Sequence, residues 1–387
     1  MMRANPALDQ AGAHPIAAIQ QRVRDLRSSG ETVIDFSIGD PVEPTWAAIP
    51  SAVREAIPPV SQYPTTSGLP ELRQAIAAYV ERRVGSVVDP ETQVMPTSGA
   101  KEAIFSSPLA FIDRSRSDAV GHPDPAYPVY ARGAALAGAE VVPVPADEDF
   151  IVTVDCISEG LWPRLAMLWI CSPSNPTGAV TPAAELEALV RECRRNDVLL
   201  CVDECYLDLY DEGGLAPSSV LGVAGPGSSG VLSFLSLSKR SGMTGYRSGA
   251  VVGDAAAIER LHRLRTSTGT ASPEFVQRGA VTAWADDAHV AERRNVFTAK
   301  RAALRDGLTA MGREVLASEA GIYLWVAVGD DLAVTERLAD VGVVVSPGRI
   351  FGKRGKGHIR LALVPDLVTC HQALDVMEPV LSSSLSR

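Results

Sequence analysis

The sequence predicts an α/β protein with a mostly parallel sheet, helices on both of its faces, and a smaller α+β domain made from both chain ends. Three observations carry this. From residue 33 to 254 short apolar runs alternate with helical patterns, as strands and crossover helices do in a parallel sheet. Beyond residue 286 the pattern changes to one long charged helix, 287–311, then strands at 321–328, 343–346 and 358–364 with helices between. A chain of 387 residues is also long enough for a large α/β body and a second lobe. The expected division is an N-terminal segment 1–45 joining the small domain, a large domain 46–285 and a small C-terminal domain 286–387.

Taken in order, residues 16–26 form an amphipathic stretch, assigned to the small lobe because chain ends often meet. Pro70 and Glu71 open a helix that sets Leu72, Ile76, Tyr79 and Val80 on one side. The segment Thr97-Ser98-Gly99-Ala100-Lys101-Glu102 follows a short strand and opens a helix expected to run to about residue 112. Run 165–171, helix 183–194 with Leu186, Leu189, Val190 and Cys193 on one face, and run 198–202 make a βαβ unit. Run 231–237 is the next strand, and the Ser-rich tail from Ser382 is expected to fray.

Composition narrows the function. Hydrophobic residues are 46% and charged residues 21%, as in an ordinary globular protein. The 36 basic against 46 acidic residues, net charge −10, argue against general nucleic-acid or acidic-membrane binding. The first residues lack the apolar core of a secretory signal and no run nears the length of a membrane span, so a cytoplasmic protein is expected. Cys156, Cys171, Cys193, Cys201, Cys205 and Cys370 are scattered, mostly in apolar stretches, and read as reduced packing. Cys201 and Cys205 share a strand face without the second pair or nearby His that zinc needs, so no metal is expected.

Three polar residues follow three successive apolar runs: Asn175, Asp203 and Lys239. In an open parallel sheet ligands sit at the carboxyl ends of the strands, so these three should converge in one crevice. Singly, each has a plainer reading: a turn Asn, a capping Asp, a solvated loop Lys. Together, an amine at a strand end, a carboxylate able to face a protonated ring nitrogen, and Arg247 eight residues after the amine suit covalent capture of a phosphorylated aldehyde cofactor. Ser98, Gly99, Ala100 and Lys101 at a helix start can cradle an anion, with Ser236 and Arg247 closing it, although Ser and Gly also begin helices for capping reasons alone. Tyr127 can stack on a flat ring, Tyr206 can donate to a phenolate or simply pack, and Tyr130 reads as core. Arg360, a charge in an apolar strand, requires a carboxylate from a neighbouring acid or from a substrate.

With these residues assembled, nearly the whole chain resembles a fold-type I, pyridoxal-phosphate-dependent aminotransferase of class I/II. The resemblance implies pyridoxal 5′-phosphate as cofactor, Lys239 as the Schiff-base lysine and proton shuttle, and Asp203 on the pyridinium nitrogen. It implies Asn175 and Tyr206 on the phenolate oxygen and Tyr127 on the ring. Ser98, Gly99, Ala100, Lys101, Ser236 and Arg247 would bind phosphate, and Arg360 with the Gly39 backbone would bind the substrate α-carboxylate. Tyr63 matches a residue that reaches the neighbouring active site, which implies a homodimer. Ser-Leu-Ser-Lys-Arg-Ser, Val-Asp-Glu-Cys-Tyr and Ala-Trp-Ala-Asp-Asp-Ala-His-Val are similar to the succinyldiaminopimelate aminotransferase branch. That implies N-succinyl-LL-diaminopimelate and 2-oxoglutarate as substrates. The chain departs from the branch at Gly242, where Asn is usual, and at Arg349, which stands where a small or acidic residue is usual and either binds a distal carboxylate or lies in solvent.

The alternatives are an aminotransferase, lyase or cyclase of secondary metabolism acting on another amino acid, and an NAD-dependent oxidoreductase. The glycine pattern from Gly225 to Gly230 favours the latter, but it precedes the apolar run at 231–237 rather than linking a strand to a helix, and so reads as a loop. A DNA-binding regulator built on the same fold would need a further domain, for which only about 30 residues precede the first strand.

Overall fold

The structure is a computed structural model, described for residues 5–11 and 15–382. The tail beyond Ser382, expected to fray, lies outside the described residues.

Seven strands form the large sheet, in the spatial order Val94–Thr97, Gly249–Gly253, Val231–Ser236, Leu199–Asp203, Leu165–Cys171, Ala119–Asp124 and Glu140–Pro145. All neighbours pair in parallel except Gly249–Gly253, which runs antiparallel to both strands beside it. The central strands are buried at nearly every position, which is why they read as continuous apolar runs and not as alternating patterns. Register pairs Cys171 with Asp203 and Asp203 with Phe234, so the polar residues that close these strands emerge at one edge. Pro226–Ser228 is a loop ahead of Val231–Ser236, as expected for the glycine pattern there.

The smaller part carries an antiparallel sheet, Ser346–Pro347, His358–Ala362, Tyr323–Ala327 and Val315–Leu316, with the helix Ala288–Ala310 packed on Leu367–Leu381. The strand expected at 343–346 is two short ones. Val343–Val344 pairs with Ile34–Asp35 near the N-terminus, and Ser346–Pro347 turns to the Ile359 and Arg360 register instead. Pro347 offers no N–H to prolong either ladder. The helix expected to reach residue 112 is likewise divided into Ala100–Ser106 and Pro108–Phe111, because the ring of Pro108 cannot continue the first helix. The N-terminal segment serves both lobes: Ile34–Asp35 joins the small one, whereas Pro6–Ala11 touches Val129–Ala137 of the large one.

A buried ion network locks the short helix Leu237–Arg240, which holds Lys239. Asp208 accepts from Tyr79 at 2.8 Å, from Arg83 at 2.9 Å and from Arg240 at 2.9 Å. Arg240 also reaches Asp287 at 2.6 Å, and its guanidinium lies 4.9 Å from the Tyr79 ring centroid. Removing one member of such a network leaves a buried charge unpaired, a loss of about 3–5 kcal/mol.

Glu204, the neighbour of Asp203, is buried and accepts from Ser233 Oγ at 2.6 Å, Ser219 Oγ at 2.7 Å and the Val220 N–H at 2.6 Å. Burial nevertheless pushes its carboxyl up to about 7. A raised acid contributes stability that is complete below the unfolded-chain pKa and lost as pH rises through the folded one. We therefore predict that the melting temperature of the wild type falls between about pH 5 and pH 8 more steeply than that of Glu204→Gln, which keeps the shape and one accepting oxygen but carries no titrating charge. Parallel curves for the two proteins would show that Glu204 is not responsible.

Candidate active site

A cavity of about 380 Å³ opens at the carboxyl edge of the large sheet, against the small lobe. Gly39, Ala100, Lys101, Tyr127, Asn175, Asp203, Tyr206, Ser236, Lys239, Arg247 and Arg360 all line it. One strand edge and the facing lobe bring these distant stretches of sequence together.

Asp203 is the last residue of its strand and is 4% exposed. The Tyr130 O–H donates to Oδ2 at 2.7 Å and the Cys205 N–H to Oδ1 at 3.1 Å. Burial raises its pKa against these hydrogen bonds, and among the described residues no Lys or Arg pairs with it. Tyr130 is core, as its sequence setting implies, and stacks on Trp169 at 5.1 Å. Its polar task was missed, although a buried Tyr ordinarily finds a partner for its hydroxyl.

Lys239 donates from Nζ to the Gly39 carbonyl oxygen. That contact uses the Gly39 carbonyl oxygen, whereas the expected contact of the Gly39 backbone with a substrate carboxylate would use its N–H. Burial, above all, brings the lysine pKa down to about 8, with Arg247 and Arg293 acting in the same direction and Asp40 and Cys205 against it. Roughly a tenth of the amine is therefore neutral at pH 7, far more than at the ordinary lysine value, as a nucleophile requires.

Arg247 holds a left-handed backbone, φ 59°, rare outside glycine, and donates from Nη1 to the Thr244 carbonyl at 2.9 Å. Its guanidinium crosses Gly99, where an added Cβ would stand 2.5 Å from Nη2. Gly99 itself has φ +80°, so a side chain there is excluded twice over. Lys101 comes close enough to Arg247 that burial and that second cation lower its pKa. Two converging cations at a helix start form an anion site. Ser98 is displaced from the main cavity: its N–H donates to Glu102 at 3.0 Å and its hydroxyl meets Ser272 at 3.3 Å, although it shares an adjoining groove with Lys101 and Arg247.

Arg360 is 1% exposed. Nη1 donates to Asn175 Oδ1 at 2.8 Å and Nη2 to the Ser37 carbonyl at 2.5 Å, while Nε is buried without a partner. Tyr323 and Phe351 flank the guanidinium at 4.4 and 4.6 Å. Of the two carboxylate sources expected for it, a neighbouring acid is not found among the described residues. Tyr206 and Tyr323 share a hydroxyl contact of 3.0 Å on the cavity wall; Tyr323 was legible only as a strand residue.

Two expected residues lie elsewhere. The Arg349 guanidinium is held by the buried Asp331, Nη2 to Oδ1 at 2.6 Å and Nε to Oδ2 at 3.0 Å, and does not line the cavity. It is an ion-pair residue on the surface, 37% exposed, apart from the cavity. Tyr63 is 100% exposed and away from the cavity of its own chain. No cluster of metal-ligating side chains exists among the described residues.

The donor set fits a phosphorylated pyridine aldehyde: an amine, a carboxylate lacking a cation, and paired cations over a glycine. Comparison with known proteins agrees. The chain is 35% identical over 383 residues to LL-diaminopimelate aminotransferase 2 of Nostoc sp. (strain PCC 7120), covering 96% of this chain and 97% of that one. It is 36% identical over 337 residues to the 4-dedimethylamino-4-oxo-anhydrotetracycline transaminase OxyQ of Streptomyces rimosus, covering 85% and 89%. A solved structure described as a probable N-succinyldiaminopimelate aminotransferase from Thermus thermophilus superposes with TM-score 0.87 at 29% identity, covering 94% and 99%. The family described as aminotransferase class I and II matches residues 31–376, and the chain belongs to that family of pyridoxal-phosphate-dependent transaminases.

Proposed function

We propose that Lys239 is the residue to which the cofactor attaches and that Arg360 receives the α-carboxylate of the amino acid donor. The observation that carries this is the meeting, in one cavity, of a mostly desolvated amine with a buried guanidinium that no carboxylate among the described residues neutralises. Pyridoxal 5′-phosphate, when bound, supplies the electron sink that draws the electron pair from the substrate Cα–H bond. Asp203, held by Tyr130 and the Cys205 N–H, would face the ring nitrogen and favour a proton there. Asn175 and Tyr206 would hold the phenolate oxygen, and Tyr127 would cover the ring. Lys101, Arg247, Ser236 and the start of Ala100–Ser106, with Ser98 and Gly99 behind them, would hold the phosphate. Lys239 Nζ would accept the substrate Cα proton and return it one carbon away. Above about pH 8 the amine is mostly neutral, so steps that need it as a base quicken as pH rises to that value.

The donor we infer is a diaminopimelate-type amino acid, with a 2-oxo acid such as 2-oxoglutarate as acceptor. Its support is the 35% identity to an LL-diaminopimelate aminotransferase, which makes free LL-diaminopimelate a stronger candidate than its N-succinyl form. The similarity to OxyQ favours a second reading, amino transfer in secondary metabolism. Turnover of LL-diaminopimelate, N-succinyl-LL-diaminopimelate and glutamate separates these, since failure of all three leaves only the second. A homodimer also belongs to the proposal, supported by the exposed apolar side chains Val42, Ile57 and Val60 that accompany Tyr63.

Borohydride reduction of the loaded enzyme should fix the cofactor on the Lys239 peptide, and Lys239→Ala should lose roughly 10²–10⁴-fold or more in turnover. Mixing Lys239→Ala with Tyr63→Ala subunits should restore activity, because a hybrid dimer holds one site with both residues intact. A label on another peptide contradicts the attachment, and no recovery on mixing contradicts the shared site. For Arg360→Met we expect kcat/KM for every amino donor to fall roughly 30-fold or more, while Arg349→Ala leaves it unchanged per folded molecule. The opposite pattern would move carboxylate recognition from Arg360 to Arg349.

A further inference from the structure

Gly242 has φ +65°, and a Cβ built on it would stand 2.9 Å from Nη1 and 3.3 Å from Cζ of Arg293. The guanidinium therefore occupies the room that any side chain at position 242 would take. Arg293 projects from the long helix Ala288–Ala310 and is 7% exposed. Its Nε–H donates to the main-chain carbonyl of Lys239 at 3.2 Å, its Cζ lies 5.6 Å from the Phe297 ring centroid, and its Nη2 is buried without a hydrogen-bond partner. Glu43 is the acid whose charge favours the guanidinium, but Glu43 gives Oε1 to Lys300 and forms no ion pair with Arg293. A cation buried with one backbone hydrogen bond and no carboxylate is unfavourable for folding alone.

We propose that Arg293 is a positioning residue for Lys239: it pins the lysine main chain through the carbonyl oxygen and sets an unneutralised positive charge beside the amine, in space that Gly242 leaves open. The proposal rests on Lys239 being the attachment lysine. Burial favours the neutral amine; Asp40 and Cys205 lie near enough to favour its charged form, and Arg247 and Arg293 near enough to favour the neutral one. Gly242 and Arg293 thus act as a unit, the absence of one side chain admitting the other.

The test uses the apoprotein, so that turnover does not enter the readout. Competitive acetylation by acetic anhydride over a pH series, followed by peptide mass spectrometry, gives the titration midpoint of Lys239. The wild type should titrate near about 8. Arg293→Met and Arg293→Gln should each raise the midpoint by about half a pH unit or more, and Arg293→Lys should keep it low. The Gln variant retains a donor for the Lys239 carbonyl and keeps the experiment readable where the Met variant does not fold. An unchanged midpoint in folded Arg293→Gln overturns the proposal. Failure of the underlying reading is distinct: it would appear in the wild type as a borohydride-fixed cofactor on a different peptide, whatever the midpoint.

Discussion

A carboxylate at the carboxyl end of a central strand, buried and held by two hydrogen bonds but by no cation among the described residues, is the constraint around which the site is organised. Asp203 sits where three parallel strands stop together. Such a group raises its pKa or acquires a positive partner. Tyr130 and the Cys205 N–H stabilise the charged form in part, and a protonated pyridine nitrogen would supply what remains. The aromatic stack of Tyr130 on Trp169 then has a purpose beyond filling the core, because it fixes the direction in which the carboxylate points.

The opposite problem recurs at the two arginines of the cavity. Arg360, on the small lobe, is a buried cation with no carboxylate partner among the described residues, and Arg247, on the large one, is held over a glycine in a backbone conformation that costs of the order of 1–3 kcal/mol. Both are unfavourable in a protein built for stability alone. Both become favourable when an anion arrives, and both line the cavity that Lys239 also lines. The ion network around Asp208 and Arg240 keeps that amine in register by anchoring the four-residue helix that carries it.

Much of this was legible in the sequence. The parallel sheet follows from continuous apolar runs, because strands buried on both faces show no alternation, and Asn175, Asp203 and Lys239 converge because each follows such a run. What the sequence hides depends on long-range contact. Tyr130 reads as packing and Tyr323 only as one residue of a strand, since a hydroxyl partner 73 or 117 residues away leaves no local trace. Arg349 reads as a substrate or solvent residue because Asp331 lies 18 residues upstream across a helix, outside any local pattern. Pro108, by contrast, is a local signal sufficient to cut the helix at 107.

The account depends most on Asp203 facing a protonated ring nitrogen. Nitrogen-15 NMR of the enzyme loaded with ring-labelled pyridoxal 5′-phosphate reads that proton directly. A protonated shift in the wild type that reverts to the neutral pyridine value in Asp203→Asn is the predicted result. A neutral nitrogen in the wild type, or a protonated one that survives the substitution, would contradict it.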